Sequence, residues 1–255
     1  MRFPAILLLL FAGSSSALEF QSVRVHDVAY TLIRVDRERD DLRLFLRDDG
    51  GAPLNGFSHV SDWMARHGYE LRFAMNAGMY DPAFSPVGLF VVDGTTVRTL
   101  NTRDGPGNFH LKPNGVFLVT TSGDAKVVET STYPTIAAEV RLATQSGPLL
   151  VDRGRIHPKF NRNSASKLIR NGVGVTATGE IVFVISEAPV NLWSFASLFR
   201  TVLDCPNALY LDGNVSSLYA PELGRNDARA PLGPMIGVVA PLPAPASAEG
   251  QAEVP

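Results

Sequence analysis

The sequence predicts an α+β fold: a single domain with a mixed, largely antiparallel β-sheet core and a few helices. Three observations carry this. Apolar and polar residues alternate with period two over many short runs, the pattern of half-buried strands. Only two segments show the i, i+3, i+4, i+7 spacing of an amphipathic helix. Glycine (22 residues) and proline (18) are plentiful, which suits strands joined by tight turns better than a helix bundle.

The elements follow in order. Arg2, the apolar run Ala5 to Ala12 and the small residues Ser15, Ser16 and Ala17 predict a secretory signal peptide over residues 1–17. Its apolar run is too short to span a bilayer, so the mature protein is expected to be periplasmic or secreted with no stable membrane span. Val23 to Val25, Tyr30 to Val35 and Leu42 to Arg47 alternate as strands, and Asp48 to Gly51 is a turn. Val60, Trp63, Met64 and His67 mark the first helix, with Ser58 as candidate N-cap and Gly68 just past its end. A strand from Glu70 to Met75 follows. Three hairpins are expected around Asp93-Gly94, Ser122-Gly123-Asp124 and Thr178-Gly179. Phe195, Leu198, Phe199 and Val202 mark the second helix, with Ser194 as candidate cap, and Pro206 forbids its continuation. A strand from Ala208 to Leu211 comes next. Residues 18–240 are expected to form the domain, and Pro241 to Pro255, poor in large apolar groups, a disordered tail.

Composition narrows the function. The 255 residues fit one domain or two small ones, and 45% hydrophobic content supports a sizeable core. Lys plus Arg number 23 against 25 Asp plus Glu, a net charge of −2 that argues against a nucleic-acid partner. Cys205 is the only cysteine, so it forms no intrachain disulfide, and its apolar surroundings read as those of a small buried hydrophobe. There is no CxxC, HExxH or His/Cys cluster, so no metal and no cofactor is expected. Nothing in the sequence speaks to oligomeric state.

Polar residues gather where the strands end. Five loops qualify: Asn76 to Asp81, Asn108 to Gly115, Gln145 to Pro148, Asn163 to Gly172 and Leu211 to Ser217. Each alone is an ordinary turn, but loops on a rigid β scaffold are where binding residues collect. Asp212 is the best carboxylate, either reacting or hydrogen-bonding its own turn. Arg170 has a planar fork suited to a phosphate, or to a structural salt bridge. Lys112 offers a second cation or a solvated loop residue. Asn76 and Asn114 could bind sugar hydroxyls or turn the backbone. Tyr80 suits sugar binding. Ser216, Ser217 and the backbone at Gly213 could donate to a phosphate. His110 is a candidate proton carrier, and His157 reads as structural.

Taken in order, Asn76-Ala77-Gly78-Met79-Tyr80, Lys112-Pro113-Asn114-Gly115-Val116-Phe117, Ser146-Gly147-Pro148, Arg170-Asn171-Gly172-Val173-Gly174-Val175 and Tyr210-Leu211-Asp212-Gly213 with Ser216-Ser217 resemble one family. It is the phosphodiester glycosidase family, which includes the lysosomal uncovering enzyme, and the likeness is nearest to its small bacterial secreted branch. It covers roughly residues 70 to 240. Two departures stand out: Asn214-Val215 where the uncovering enzyme's relatives tend to have glycine and serine, and Arg170-Asn171 rather than arginine-threonine. Both bear on the substrate more than on the fold.

The resemblance implies hydrolysis of the glycosyl C1–O bond of a sugar-1-phosphodiester in an envelope or extracellular glycan. Such a bond breaks through an oxocarbenium-like transition state. A phosphate monoester leaves as a stable anion, so demand for a general acid is weak. Stabilising the phosphate and supplying one carboxylate matter more. Asp212 and Arg170 are the expected catalytic residues, and the others named bind substrate. The alternative is a non-catalytic carbohydrate- or envelope-binding protein on the same scaffold. A serine hydrolase is disfavoured because no G-x-S-x-G elbow is present.

Overall fold

The computed structural model describes residues 18–227 and 229–243. The signal peptide expected over 1–17 and residues 244–255 of the expected tail lie outside the described residues. Pro241, where that tail was expected to begin, is still strand and pairs with Tyr69.

The chain opens with β1 (Glu19–Val25), β2 (Val28–Val35) and β3 (Asp41–Phe45), then α1 (Phe57–Arg66) and β4 (Tyr69–Asn76). Two hairpins follow: β5 (Phe90–Val92) with β6 (Thr95–Arg98), and β7 (Gly115–Thr120) with β8 (Ala125–Glu129). After two 3-10 turns come β9 (Val140–Ser146), β10 (Leu149–Asp152), β11 (Arg155–Ile156), β12 (Asn171–Val175) and β13 (Ile181–Ser186). The chain closes with α2 (Leu192–Thr201), β14 (Asn207–Asp212), β15 (Leu218–Ala220), β16 (Arg225–Asn226) and β17 (Met235–Pro241).

These strands make three sheets in the orders β1-β2-β13-β12-β14-β10-β11, β16-β15-β4-β17-β3 and β6-β5-β9-β7-β8. Every pairing among the described residues is antiparallel. The three hairpins expected from turn dipeptides are present, each with the expected partner strand.

The sheets turn their inner faces to one shared core, and period two explains how. In β13, Ile181, Phe183 and Ile185 point inward while Val182 and Val184 point out beneath α2. Both faces are buried, so the strand reads as an unbroken apolar run. Phe183 of the first sheet lies 5.3 Å from Phe73 of the second and 5.8 Å from Phe117 of the third, so one aromatic cluster joins all three. Outside, α1 covers the second sheet through Val60 and Met64, and α2 covers the first through Phe195 and Phe199.

Both helix caps differ from expectation. α1 is capped by Gly56 with no side-chain hydrogen bond, and Ser58 lies within its first turn. At α2, Asn191 Oδ1 accepts from the Ser194 N–H, so Ser194 is the residue that the cap satisfies. Val202 is the C-cap and is exposed, not part of the buried stripe. Gly174 of β12 lets this region pack close: a Cβ there would fall 2.7 Å from Cys205 Sγ and 2.7 Å from Phe199. Cys205 is buried, as expected.

Candidate active site

Strand ends from all three sheets meet at one point. Asn76 ends β4, Ser146 ends β9, Asp212 ends β14, and Asn171 begins β12. Asn76 Nδ2 donates to Asn171 Oδ1 at 3.1 Å, and Asn171 Nδ2 returns a hydrogen bond to the Asn76 carbonyl at 2.9 Å. Ser216 Oγ donates to the Asp212 carbonyl at 3.0 Å and lies 3.1 Å from Asn171 Oδ1. Asn76 Oδ1 accepts from the Ser217 N–H at 3.0 Å, and Ser146 Oγ donates to the Leu211 carbonyl at 3.0 Å. These side chains are buried, and their hydrogen bonds offset the cost of burying them.

This network supports the loop that carries Asp212. Against Asn171–Gly172, β14 has one residue too many, because Asn171 faces Asp212 while Gly172 faces Tyr210. The bulge at Leu211 bends the strand and re-aims the residue after it. Asp212 Oδ1 then accepts three backbone N–H groups, from Gly213 and Asn214 at 2.5 Å and Val215 at 3.2 Å. Oδ2 has no partner among the described residues and is not sealed from solvent. Asp212 is 9% exposed. The carboxylate is fixed by one oxygen and presents the other.

Beneath the loop lies a buried cation. Arg170 is 1% exposed and forms no ion pair among the described residues. Its Nε donates to the Val190 carbonyl at 2.7 Å, Nη1 to Tyr210 Oη at 2.7 Å and Nη2 to the Ser166 carbonyl at 3.2 Å. The sequence suggested an open phosphate clamp or a salt bridge; here the guanidinium is covered and held by neutral oxygens. Burial pushes the Tyr210 phenol above its ordinary range; Arg170 pulls the other way and Asp212 adds to the rise. Gly213 is the lid: a Cβ there would sit 2.1 Å from Tyr210 Oη and 3.2 Å from Arg170 Nη1.

Tyr80 borders the site. Its phenol is pushed up by burial and then by the Asp212 carboxylate, which places the two in each other's field. Its hydroxyl donates to the Pro231 carbonyl at 2.8 Å, and its ring stacks on Phe84 at 5.9 Å. Asn114 is buried, donates to the Phe109 carbonyl at 2.8 Å, and its Oδ1 has no partner among the described residues.

His110 and Lys112 are not drawn into this cluster. His110 Nδ1 lies 3.0 Å from the Arg103 carbonyl. Lys112 Nζ donates to the Thr102 carbonyl at 3.0 Å and Asp104 at 2.7 Å, tying down an outer loop. His157 is buried beside Phe160. Three participants were not named as site residues from the sequence: Ser146, Asn171 and Tyr210. Asn171 could have been suspected as a polar residue opening an all-apolar strand. Tyr210 stood within the Tyr210-Leu211-Asp212-Gly213 motif, but nothing in its local pattern gave it a role of its own. Among the described residues, no three His, Cys, Asp or Glu side chains group as metal ligands would. No helix among them is long and apolar enough to cross a membrane.

The family described as phosphodiester glycosidase matches residues 69–239, from the start of β4 into β17. The chain belongs to the phosphodiester glycosidase family. The uncharacterized protein YigE of Escherichia coli K12 is 39% identical over 151 residues, 59% of this chain and 58% of that one. The chain thus spans well under two thirds of that relative's length. The zebrafish N-acetylglucosamine-1-phosphodiester alpha-N-acetylglucosaminidase catalytic domain, auto-inhibited by its pro-peptide, is a structural neighbour. It has a TM-score of 0.61 and 14% identity, over 87% of this chain and 81% of that one. A hypothetical protein from Synechocystis has a TM-score of 0.52 and 17% identity, over 87% and 61%. At these identities the likeness to the two structures is one of fold alone.

Proposed function

We propose that this protein is a periplasmic or secreted hydrolase of the small bacterial branch of its family. It would cleave the glycosyl C1–O bond of a sugar-1-phosphodiester in an envelope or extracellular glycan, using residues 18–240 as its domain. One observation carries the reading: Asp212 has one oxygen locked by three backbone N–H groups and the other free.

A carboxylate held this way keeps its aim and has one oxygen left for chemistry. That oxygen attacks C1 or takes a proton from water as the glycosyl cation develops. The leaving phosphate monoester is a stable anion and needs little protonation. Negative charge accumulates on it, and the buried Arg170 guanidinium beneath Gly213 stabilises that charge through its hydrogen bond to Tyr210. In this reading Arg170 acts through Tyr210 rather than as a direct clamp. Asn76, Ser216 and Ser217 hold the loop, Tyr80 borders the sugar, and the buried Asn114 braces its own loop through the Phe109 carbonyl. His110 and Lys112 act farther out, at the entrance. The zebrafish neighbour's name describes the same bond class, which supports the reading.

The test uses purified protein lacking residues 1–17, with UDP-N-acetylglucosamine and a GlcNAc-phosphate-methylmannose diester. Free reducing sugar is measured, with Asp212→Asn alongside. Turnover is expected in the first protein and none in the folded second. Turnover retained in Asp212→Asn would remove that carboxylate from the mechanism. No turnover by either, with thermal stabilisation by a glycan, would favour the carbohydrate-binding alternative.

A further inference from the structure

A second site lies on the α2 side of the first sheet. A cavity of about 430 Å³ opens between α2, the β1–β2 turn and the segments around 162–167 and 189–191. Its floor is apolar, with Val28, Tyr30, Ile156 and Leu198 among its residues. Arg162, Lys167 and Arg200 stand around it, and Asp27 is the one acid in its lining. None of these three cations forms an ion pair among the described residues. The chain as a whole carries a net charge of −2, so this is a local excess of positive charge.

The wall is organised. The Arg162 guanidinium stacks over the Trp193 ring at 4.2 Å, which restrains its head group. The Arg162 carbonyl accepts from Asn191 Nδ2 at 2.9 Å, which fixes the backbone at that point. Opposite, His26 occupies the β1–β2 turn with φ of 51°, a position that favours glycine or asparagine.

The cavity floor lies away from Asp212, although the cavity wall includes Val190, whose carbonyl accepts from Arg170 Nε. Across the first sheet Asp212 faces Asn171, Asn171 faces Ile185, and Ile185 faces Thr31, next to Tyr30 on the cavity floor. Three strand spacings amount to about 14 Å.

We propose that this cavity binds an amphipathic organic anion: a phosphate, sulfate or carboxylate carried on an aromatic or aliphatic body. The cations meet the charged head and the floor takes the apolar body. Neither half accounts for the other, since a basic surface needs no apolar floor and a hydrophobic slot needs no ring of unpaired cations. The inference does not rest on the glycosidase reading.

The experiment measures calorimetric binding of three probes, phenyl phosphate, octyl phosphate and inorganic phosphate, to the protein lacking residues 1–17. The same titrations are run on Asp212→Asn, on Arg162→Gln/Lys167→Gln and on Ser197→Phe. Both substituted cations are exposed and unpaired, so the double variant is expected to fold. Ser197→Phe fills the cavity from α2. Phenyl or octyl phosphate should bind and inorganic phosphate should not; which ester binds tells an aromatic from an aliphatic body. The double variant should weaken binding roughly tenfold or more, since even one lost charge-assisted hydrogen bond accounts for about that factor. Ser197→Phe should abolish binding, and Asp212→Asn should leave it unchanged. Three results would overturn the proposal: no binding by either ester, inorganic phosphate binding as tightly, or unchanged affinity in both cavity variants.

Discussion

The contact between Arg170 and Tyr210 can be weighed by removing a single oxygen. Tyr210→Phe keeps the ring and its packing beneath α2 but deletes the acceptor that Arg170 Nη1 reaches at 2.7 Å. Both residues are 1% exposed, and the backbone of Gly213 lies directly over the hydroxyl, so solvent has little room to take its place. Arg170 is also a cation without a carboxylate. A hydrogen bond to a charged group is worth about 1.5–3 kcal/mol, so a loss of about 2 kcal/mol is expected. For a domain of this size that lowers Tm by about 4–8 °C. Urea unfolding followed by near-ultraviolet circular dichroism measures it, with an unchanged m-value showing that the unfolded state is the same. Tyr30→Phe is the control, because that buried ring's hydroxyl makes no hydrogen bond among the described residues. If the two variants agree within about 0.5 kcal/mol, the guanidinium does not depend on Tyr210 and the argument for a braced cation fails.

Gly213→Ala should strip turnover and cost about 1–3 kcal/mol by overpacking, because its Cβ would meet Tyr210 Oη at 2.1 Å; a fully active, fully stable variant would contradict the lid described here. Burial pushes the Cys205 thiol up to about 12, leaving about one molecule in 10⁴ as thiolate at pH 8. An aromatic disulfide reagent should therefore find no thiol in the native protein and one equivalent in urea. Burial holds the His157 imidazole below its ordinary range, so the unfolded chain takes up the proton first. The stability this provides should be full above the free value near 6.5 and decline as pH falls from there through the depressed folded value. Urea midpoints at several pH values should show that decline, and His157→Gln should flatten it.

The elements were legible where local pattern decides them. The hairpins at Asp93-Gly94, Ser122-Gly123-Asp124 and Thr178-Gly179 each carry their turn and flanking strands within a short window. The helix stripes were equally plain. Caps were not, because Ser58 and Ser194 are good capping residues by type, and only the chain's entry angle selects Gly56 and Asn191. The loops of the site were visible as polar strand ends, but their bonding was not. Asn76 and Asn171 are 95 residues apart in sequence, and their pairing depends on the meeting of two sheets. Arg170 misleads by composition: an arginine in a polar segment suggests solvent, yet two carbonyls and a phenol hold it inside.

The position of β17 has a consequence for how the chain is made. The last strand lies between β3 and β4, two of the earliest. Until residues 235–241 have left the ribosome, the second sheet has an empty lane between β4 and β3, and both neighbours expose unpaired backbone edges. Contacts this distant in sequence form slowly. A chain interrupted before Met235 would hold two open strand edges facing one another, the template on which a second unfinished copy can pair.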